Sequence, residues 1–279
     1  MEITDRSFEL SQTKNYMLSI RFIPEGFCFI VFSRHNKKIL HFAEITAKDK
    51  DPQQLLRDTA AGSPVLQSAF EESFCVWDTP LYTLIPSAFF NEENITKLWK
   101  LNFGEGDMQN LSFFSDRVKL TDVVNVFAVP TESAGFIKEI FPSIQFINQQ
   151  SIHITEALFE NKKENNSQVY IDVQRNFFDV LVLQKRKIVL ANSCRFQNKD
   201  EFLYFSINIF EQLQLDPHST EIILSGEISE DDEKSVSLRK YIQTVSFKQI
   251  AADISGLNLK KLPNPERYIN LLNLPLCVL

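Results

Sequence analysis

The feature that most constrains this chain is an internal echo. Residues 18–41, LSIRFIPEGFCFIVFSRHNKKILH, share an apolar pattern with residues 169–190, VYIDVQRNFFDVLVLQKRKIVL. The offset is about 150 residues and drifts by two across two turns. In each copy three apolar runs are separated by short polar breaks, the pattern of three consecutive strands joined by tight turns. Each copy must bury its own sheet face, so each is expected to open a separate layered α/β unit.

At 279 residues, with 44% hydrophobic residues and 25 Phe, the chain can fill two cores. A net charge of −7 and a pI near 5.3 repel phosphate backbones and anionic lipid, so nucleic acid and membrane surfaces are not the expected partners. No apolar run reaches the ~18–20 residues of a membrane span. Cys28, Cys75, Cys194 and Cys277 are far apart and form no CxxC, which fits a reducing cytoplasm and neither a zinc ribbon nor a disulfide framework.

After the first meander, Asp51 is placed to cap a helix with Pro52 at its first position, and Gly62 with Pro64 predicts a break into two helices before Ser73. Strands are expected over 74–77 and 81–85, then a helix capped by Asn91 whose apolar face carries Leu98, Trp99 and Leu101. A two-glycine loop over 103–109 is expected to move. Strands over 111–115 and 123–129, a helix over 131–141, a strand over 144–147 and a helix over 151–160 complete the first half. The polar tract NKKENNSQ, 161–168, sets the expected domain boundary, giving lobes 1–160 and 161–279. The second half then reads as three strands to about Phe196, a helix over 199–213, a strand over 222–224 ending in Ser225-Gly226, a helix over 236–242 and a strand over 245–247. This βββαβαβ order is the ribonuclease-H-like layout. The apolar tail PERYINLLNLPLCVL is expected to pack back on the body.

Two such units in tandem resemble the actin, sugar-kinase and heat-shock ATPase superfamily, particularly bacterial members such as the pilus-assembly protein PilM and the cell-division protein FtsA. The local matches are Asp172 on the first strand of the second unit, the Leu224-Ser225-Gly226 strand end, and LRKYIQTVSF after it. The chain also resembles an uncharacterised bacterial family of unknown function with this fold. The resemblance implies tandem ribonuclease-H-like units, each opening with an Asp and a glycine-bearing turn whose N–H groups cradle nucleotide phosphates. This sequence departs from that pattern at each point. Arg21 stands where the first Asp belongs, and Pro24 and Glu25 occupy its turn. Asp172 is followed by Val173-Gln174-Arg175-Asn176 without a glycine, and the adenosine position reads Gly226-Glu227 where the resemblance implies two glycines. Only seven glycines occur, against a usual share of about 7%, and neither GxGxxG nor GxxxxGK[ST] is present.

Candidate chemistry is sparse. Asp172 could hold Mg²⁺, with Glu227 a better companion than Asp179, or could be a retained polar group bonded to Arg175. The acidic run at Glu230, Asp231, Asp232 and Glu233 reads as a solvated loop, and His35, His41, His153 and His218 lack ligand spacing. The adjacent pairs Phe89-Phe90 and Phe113-Phe114 force one ring of each away from a one-sided core and so suggest a contact surface, unless both faces are covered. The expectation is therefore a non-catalytic actin-like scaffold or adaptor in the cytoplasm, with a protein partner and without cofactor, catalytic or metal residues. Asp172, Gly226 and Glu227 mark a degenerate cofactor site; Arg21, Phe113 and Phe114 mark interaction surfaces. A nucleotide-dependent switch with arginines at the phosphates, and a metal-dependent nuclease, are the alternatives.

Overall fold

The computed structural model describes residues 1–104, 108–160, 167–249, 255–256, 262 and 265–278. The chain divides into two compact units, one of Met1–Ile152, Ala252–Leu259 and Leu271–Leu279, the other of His153–Ala251 and Lys260–Asn270. The linker expected over 161–168 falls outside the described residues as far as 166, as does 105–107 in the glycine-bearing loop.

The first unit begins with β1 (Glu2–Thr4), then the meander β2 (Tyr16–Ile23), β3 (Gly26–Ser33) and β4 (Lys38–Thr46). Helix α1 (Pro52–Gly62) follows, its first turn capped by Asp51 accepting from the Gln54 N–H at 2.9 Å. No second helix forms before β5 (Glu72–Trp77). Ser63 is extended, at φ −99° and ψ 112°, as the following Pro64 requires, and the chain turns from there to β5. Next come β6 (Tyr82–Pro86), a one-turn 3-10 helix at Glu92–Asn94, α2 (Ile95–Phe103), β7 (Leu111–Val118), β8 (Val123–Pro130), α3 (Thr131–Ile140), β9 (Gln145–Asn148) and α4 (Gln149–Glu160). Asn91 caps the 3-10 turn rather than α2 itself, and Leu101 is 82% exposed while Trp99 is buried.

The main sheet runs β1-β4-β3-β2-β5-β9, with β2, β5 and β9 parallel. All eight residues of β3 are buried, which is why it reads as an unbroken apolar run. A second, three-stranded sheet runs β6-β8-β7. The outer side of β4 carries two short strands that periodicity did not reveal: β1, antiparallel, and β15 (Ser255–Gly256), parallel at Lys38 and Ile39.

The second unit repeats the plan with β10 (Gln168–Val173), β11 (Phe177–Gln184), β12 (Lys187–Arg195), α5 (Lys199–Gln212), β13 (Glu221–Gly226), α6 (Glu233–Leu238) and β14 (Val245–Phe247). Its order is β12-β11-β10-β13-β14, with β13 and β14 parallel to β10. Counting from each meander only the strands that join its sheet, β2–β5 and β9 in the first unit and β10–β14 in the second, both units follow third-second-first-fourth-fifth. The likeness extends to an irregularity. The β3/β4 ladder steps from Val31 opposite His41 to Phe32 opposite Ile39, and the β11/β12 ladder from Val182 opposite Leu190 to Leu183 opposite Ile188. Leu40 and Val189 are thus extra residues in matching bulges. Helix α6 starts three residues before the expected 236, because Asp232 caps it by accepting from the Lys234 N–H at 2.8 Å. The acidic run is therefore partly helix cap and first turn, with Glu233 paired to Lys199 at 2.8 Å.

After a 3-10 turn at Pro265–Tyr268, α7 (Ile269–Val278) buries Ile269, Leu271, Leu272 and Leu274. Among the described residues no helix is long and apolar enough to cross a membrane.

Candidate functional site

Asp172 lies on β10 with Ser225 beside it on β13 and Asp179 beside it on β11. It is 1% exposed. Its Oδ1 accepts from Ser225 Oγ at 2.6 Å; its Oδ2 accepts from Gln174 Nε2 at 2.6 Å and Asn270 Nδ2 at 2.9 Å. Three donors thus hold the carboxylate from within the second unit. Arg175, expected as a partner, is exposed at the hairpin tip. Glu227, the expected companion, turns to Arg267 with Nε at 2.7 Å, and Asp179 accepts from Ser193 Oγ. Among the described residues no three His, Cys, Asp or Glu side chains are grouped to hold a metal ion.

Gly226 does need its freedom, but for packing inside the unit. Its φ is +88°, and a Cβ there would meet the Val173 carbonyl oxygen at 2.1 Å. The next amide, Glu227 N–H, donates to that same oxygen at 2.7 Å, and Gln174 N–H donates to Phe177 O at 2.8 Å. The adjoining hollow, lined by Gly226, Glu227, Ile228, Ser229, Asp232 and Arg267, holds about 190 Å³, below the roughly 300 Å³ at which small-molecule sites begin. In the first unit, Arg21 is 1% exposed and its Nε donates to Asp78 Oδ2 at 2.8 Å. Pro24 and Glu25 form the exposed hairpin tip.

Phe113 and Phe114 lie on β7 and pack to opposite sides of the small sheet. Phe113 lies tilted against Trp99 with ring centres 4.8 Å apart, and Phe114 lies 4.6 Å from Phe146 with Lys138 Nζ 5.1 Å from its ring centre. Two-sided packing accounts for their adjacency. In the other pair, Phe89 is 75% exposed and Phe90 packs on the Trp99 cluster.

Two buried polar groups escaped sequence reasoning. In the second unit, Lys248 meets Glu156 of α4 at 2.8 Å with both side chains out of solvent, and Lys248 Nζ lies 5.3 Å from the Tyr170 ring centre. Burial pushes the Glu156 carboxyl up to about 8 against the pull of Lys248. Burial, then Lys248, holds His153 down to about 3, against the opposing pull of Asp172. The available signal was His153 and Glu156 at i, i+3 among the apolar positions of α4. In the first unit, Asn125 Nδ2 donates to Asn148 Oδ1 at 3.0 Å and Ser151 Oγ at 2.9 Å, while Gln149 exchanges bonds with the Thr79 backbone at 3.0 Å. Asp116 accepts from the Asn148 N–H at 2.9 Å and from Ser151, and burial raises it to about 7.

The paired strand orders and their parallel extensions define an actin-like ATPase fold, built of tandem ribonuclease-H-like units. The chain belongs to the family described as "Protein of unknown function (DUF3822)", matched over residues 5–245. A Bacteroides thetaiotaomicron protein with an actin-like ATPase fold and unknown function is 21% identical, with a TM-score of 0.79 over 97% of this chain and 99% of that one. A chain of the PilM-PilN type IV pilus biogenesis complex is 12% identical, with a TM-score of 0.58 over 93% and 97%. The ethanolamine utilization protein EutJ from Carboxydothermus hydrogenoformans is 9% identical, with a TM-score of 0.50 over 99% and 92%. No curated protein matches the chain.

The residues present do not fit the nucleotide that this fold implies. The amides after Val173 and Gly226 bond within the unit, both Asp172 oxygens are engaged by side chains of that unit, and the first hairpin tip offers Pro24 without an N–H beside the anionic Glu25.

Proposed function

We propose that this protein is a non-catalytic, actin-like adaptor or scaffold of the cytoplasm whose partner is another protein. The observation that carries the reading is the engagement of both Asp172 carboxylate oxygens by Gln174, Ser225 and Asn270. A carboxylate poised for a metal keeps lone pairs directed at an open site, and this one directs them at its own unit. A protein of this fold in the PilM-PilN complex is held with another protein, which supports a protein partner here. The common strand order and the matching bulges at Leu40 and Val189 support an origin of the two units by duplication.

Titration calorimetry with ATP and Mg²⁺ tests the reading. No binding heat is expected up to millimolar nucleotide, and a micromolar Kd would overturn it in favour of a nucleotide-dependent switch.

A further inference from the structure

Strand β12 is the outermost strand of the second sheet, the place that β4 holds in the first. The chain covers β4 itself, laying Glu2, Ile3 and Thr4 antiparallel against Ala43, Phe42 and His41. Among the described residues no strand pairs with the outer side of β12. Nine residues long, β12 presents about 30 Å of edge. Alternate main-chain groups of an edge strand point away from its neighbour and can template another strand.

The charges at its ends select what would come. Lys185, Arg186 and Lys187 are exposed at one end and Arg195 at the other, and no ion pair among the described residues reaches any of them. They stand out on a chain of net charge −7. Lys185 and Arg186 form the turn with φ of +49° and +62°, where Asn-Gly is the unstrained choice. Two long cations held in that conformation are the kind of backbone outlier from which a functional site is inferred.

We infer that β12 is a docking edge for an acidic, extended segment of a partner protein, which adds to the sheet as a sixth strand with carboxylates at the basic ends. This rests on the adaptor reading and names its surface. A second copy is a poorer occupant. Antiparallel pairing of two β12 strands centred on Ala191 would set Lys187 of each copy opposite Arg195 of the other, so positive ends would meet. Strand addition obtains affinity from main-chain bonds, and the charges then supply selectivity.

The probe is a fluorescein-labelled peptide of about ten residues, alternating Val and Thr with two Glu at each end. Fluorescence anisotropy should show saturable binding by the whole protein, with hydrogen exchange slowed over 188–195. The double variant Lys187→Glu/Arg195→Glu changes only exposed side chains and should weaken binding at least tenfold. A Lys-ended peptide should not bind. No binding of the Glu-ended peptide, equal binding of the Lys-ended one, or an unchanged variant would overturn the assignment. So would a wild-type dimer, seen by sedimentation, that protects the same residues. Nucleotide titration on the same preparation separates the two claims: ATP binding sinks the adaptor reading whatever the peptide does, and peptide failure alone sinks only the edge.

Discussion

Asp172 is where the two readings of the molecule diverge in a measurable way. If its carboxylate held a metal, Asp172→Ala would abolish turnover and leave the thermal transition in place. Held as it is by Gln174, Ser225 and Asn270, its removal takes this acceptor from three buried donors, so urea unfolding should show a loss on the order of 3 kcal/mol. His153 gives a second expectation. Its folded pKa is about 3 against an ordinary 6.5, so between those values the unfolded chain takes up a proton that the folded chain refuses. The His153 contribution to stability should therefore fall as pH drops from about 6.5 towards 3, by up to ~1.4 kcal/mol per pH unit, against the opposite contributions of Glu156 and Asp116, whose raised carboxyls hold a proton more tightly when folded; the difference between parent and His153→Gln in pH-stepped urea curves should show that fall. Asp172 and Gly226, near the ends of β10 and β13, were nameable from the resemblance to the superfamily, whose pattern marks those two strand ends. Their partners were not. Asn270 is 98 residues from Asp172 and Arg267 is 40 from Glu227, and pattern carries no information about which distant side chain closes a bond.

Elements were legible in proportion to their length and the sharpness of their caps. The six meander strands and α1 were readable because alternation, turns and the Asp51-Pro52 cap agree. The three residues of β1 and the two of β15 are too short for a period, and tertiary pairing with β4 alone makes them strands. Helix α2 shows how a face can be misread. Trp99 is 2% exposed and stacks on Phe103 at 4.2 Å, while Leu101, two residues along, projects into solvent. A spacing of two places side chains on opposite sides of a helix. Trp99→Ala should cost about 3–5 kcal/mol in chemical denaturation, whereas Leu101→Glu should stay within roughly 0.5 kcal/mol of the parent.

At the scale of the whole molecule, the fold was legible because the meander occurs twice and the elements after each copy follow one order. The scarcity of glycines was legible in the sequence, but the setting of the one that ends β13 was not: Gly226 lies against the chain's own Val173 carbonyl. A ligand that binds only the folded state raises its melting temperature by mass action. Millimolar ATP with Mg²⁺ should therefore leave the melting temperature within about 1 °C of its value without nucleotide in differential scanning fluorimetry, since 1 kcal/mol moves a protein of this size by roughly 2–4 °C.

The supernumerary residues Leu40 and Val189 have unequal fates under excision. Closing either gap would leave every remaining rung facing as before, because two residues share the place of one. Leu40 is sealed inside, so its loss would hollow out the interior; Val189 is 43% exposed and could be cut with little harm to folding. Yet a straightened rim is stickier, and the shortened protein should clump on storage, as light scattering would register.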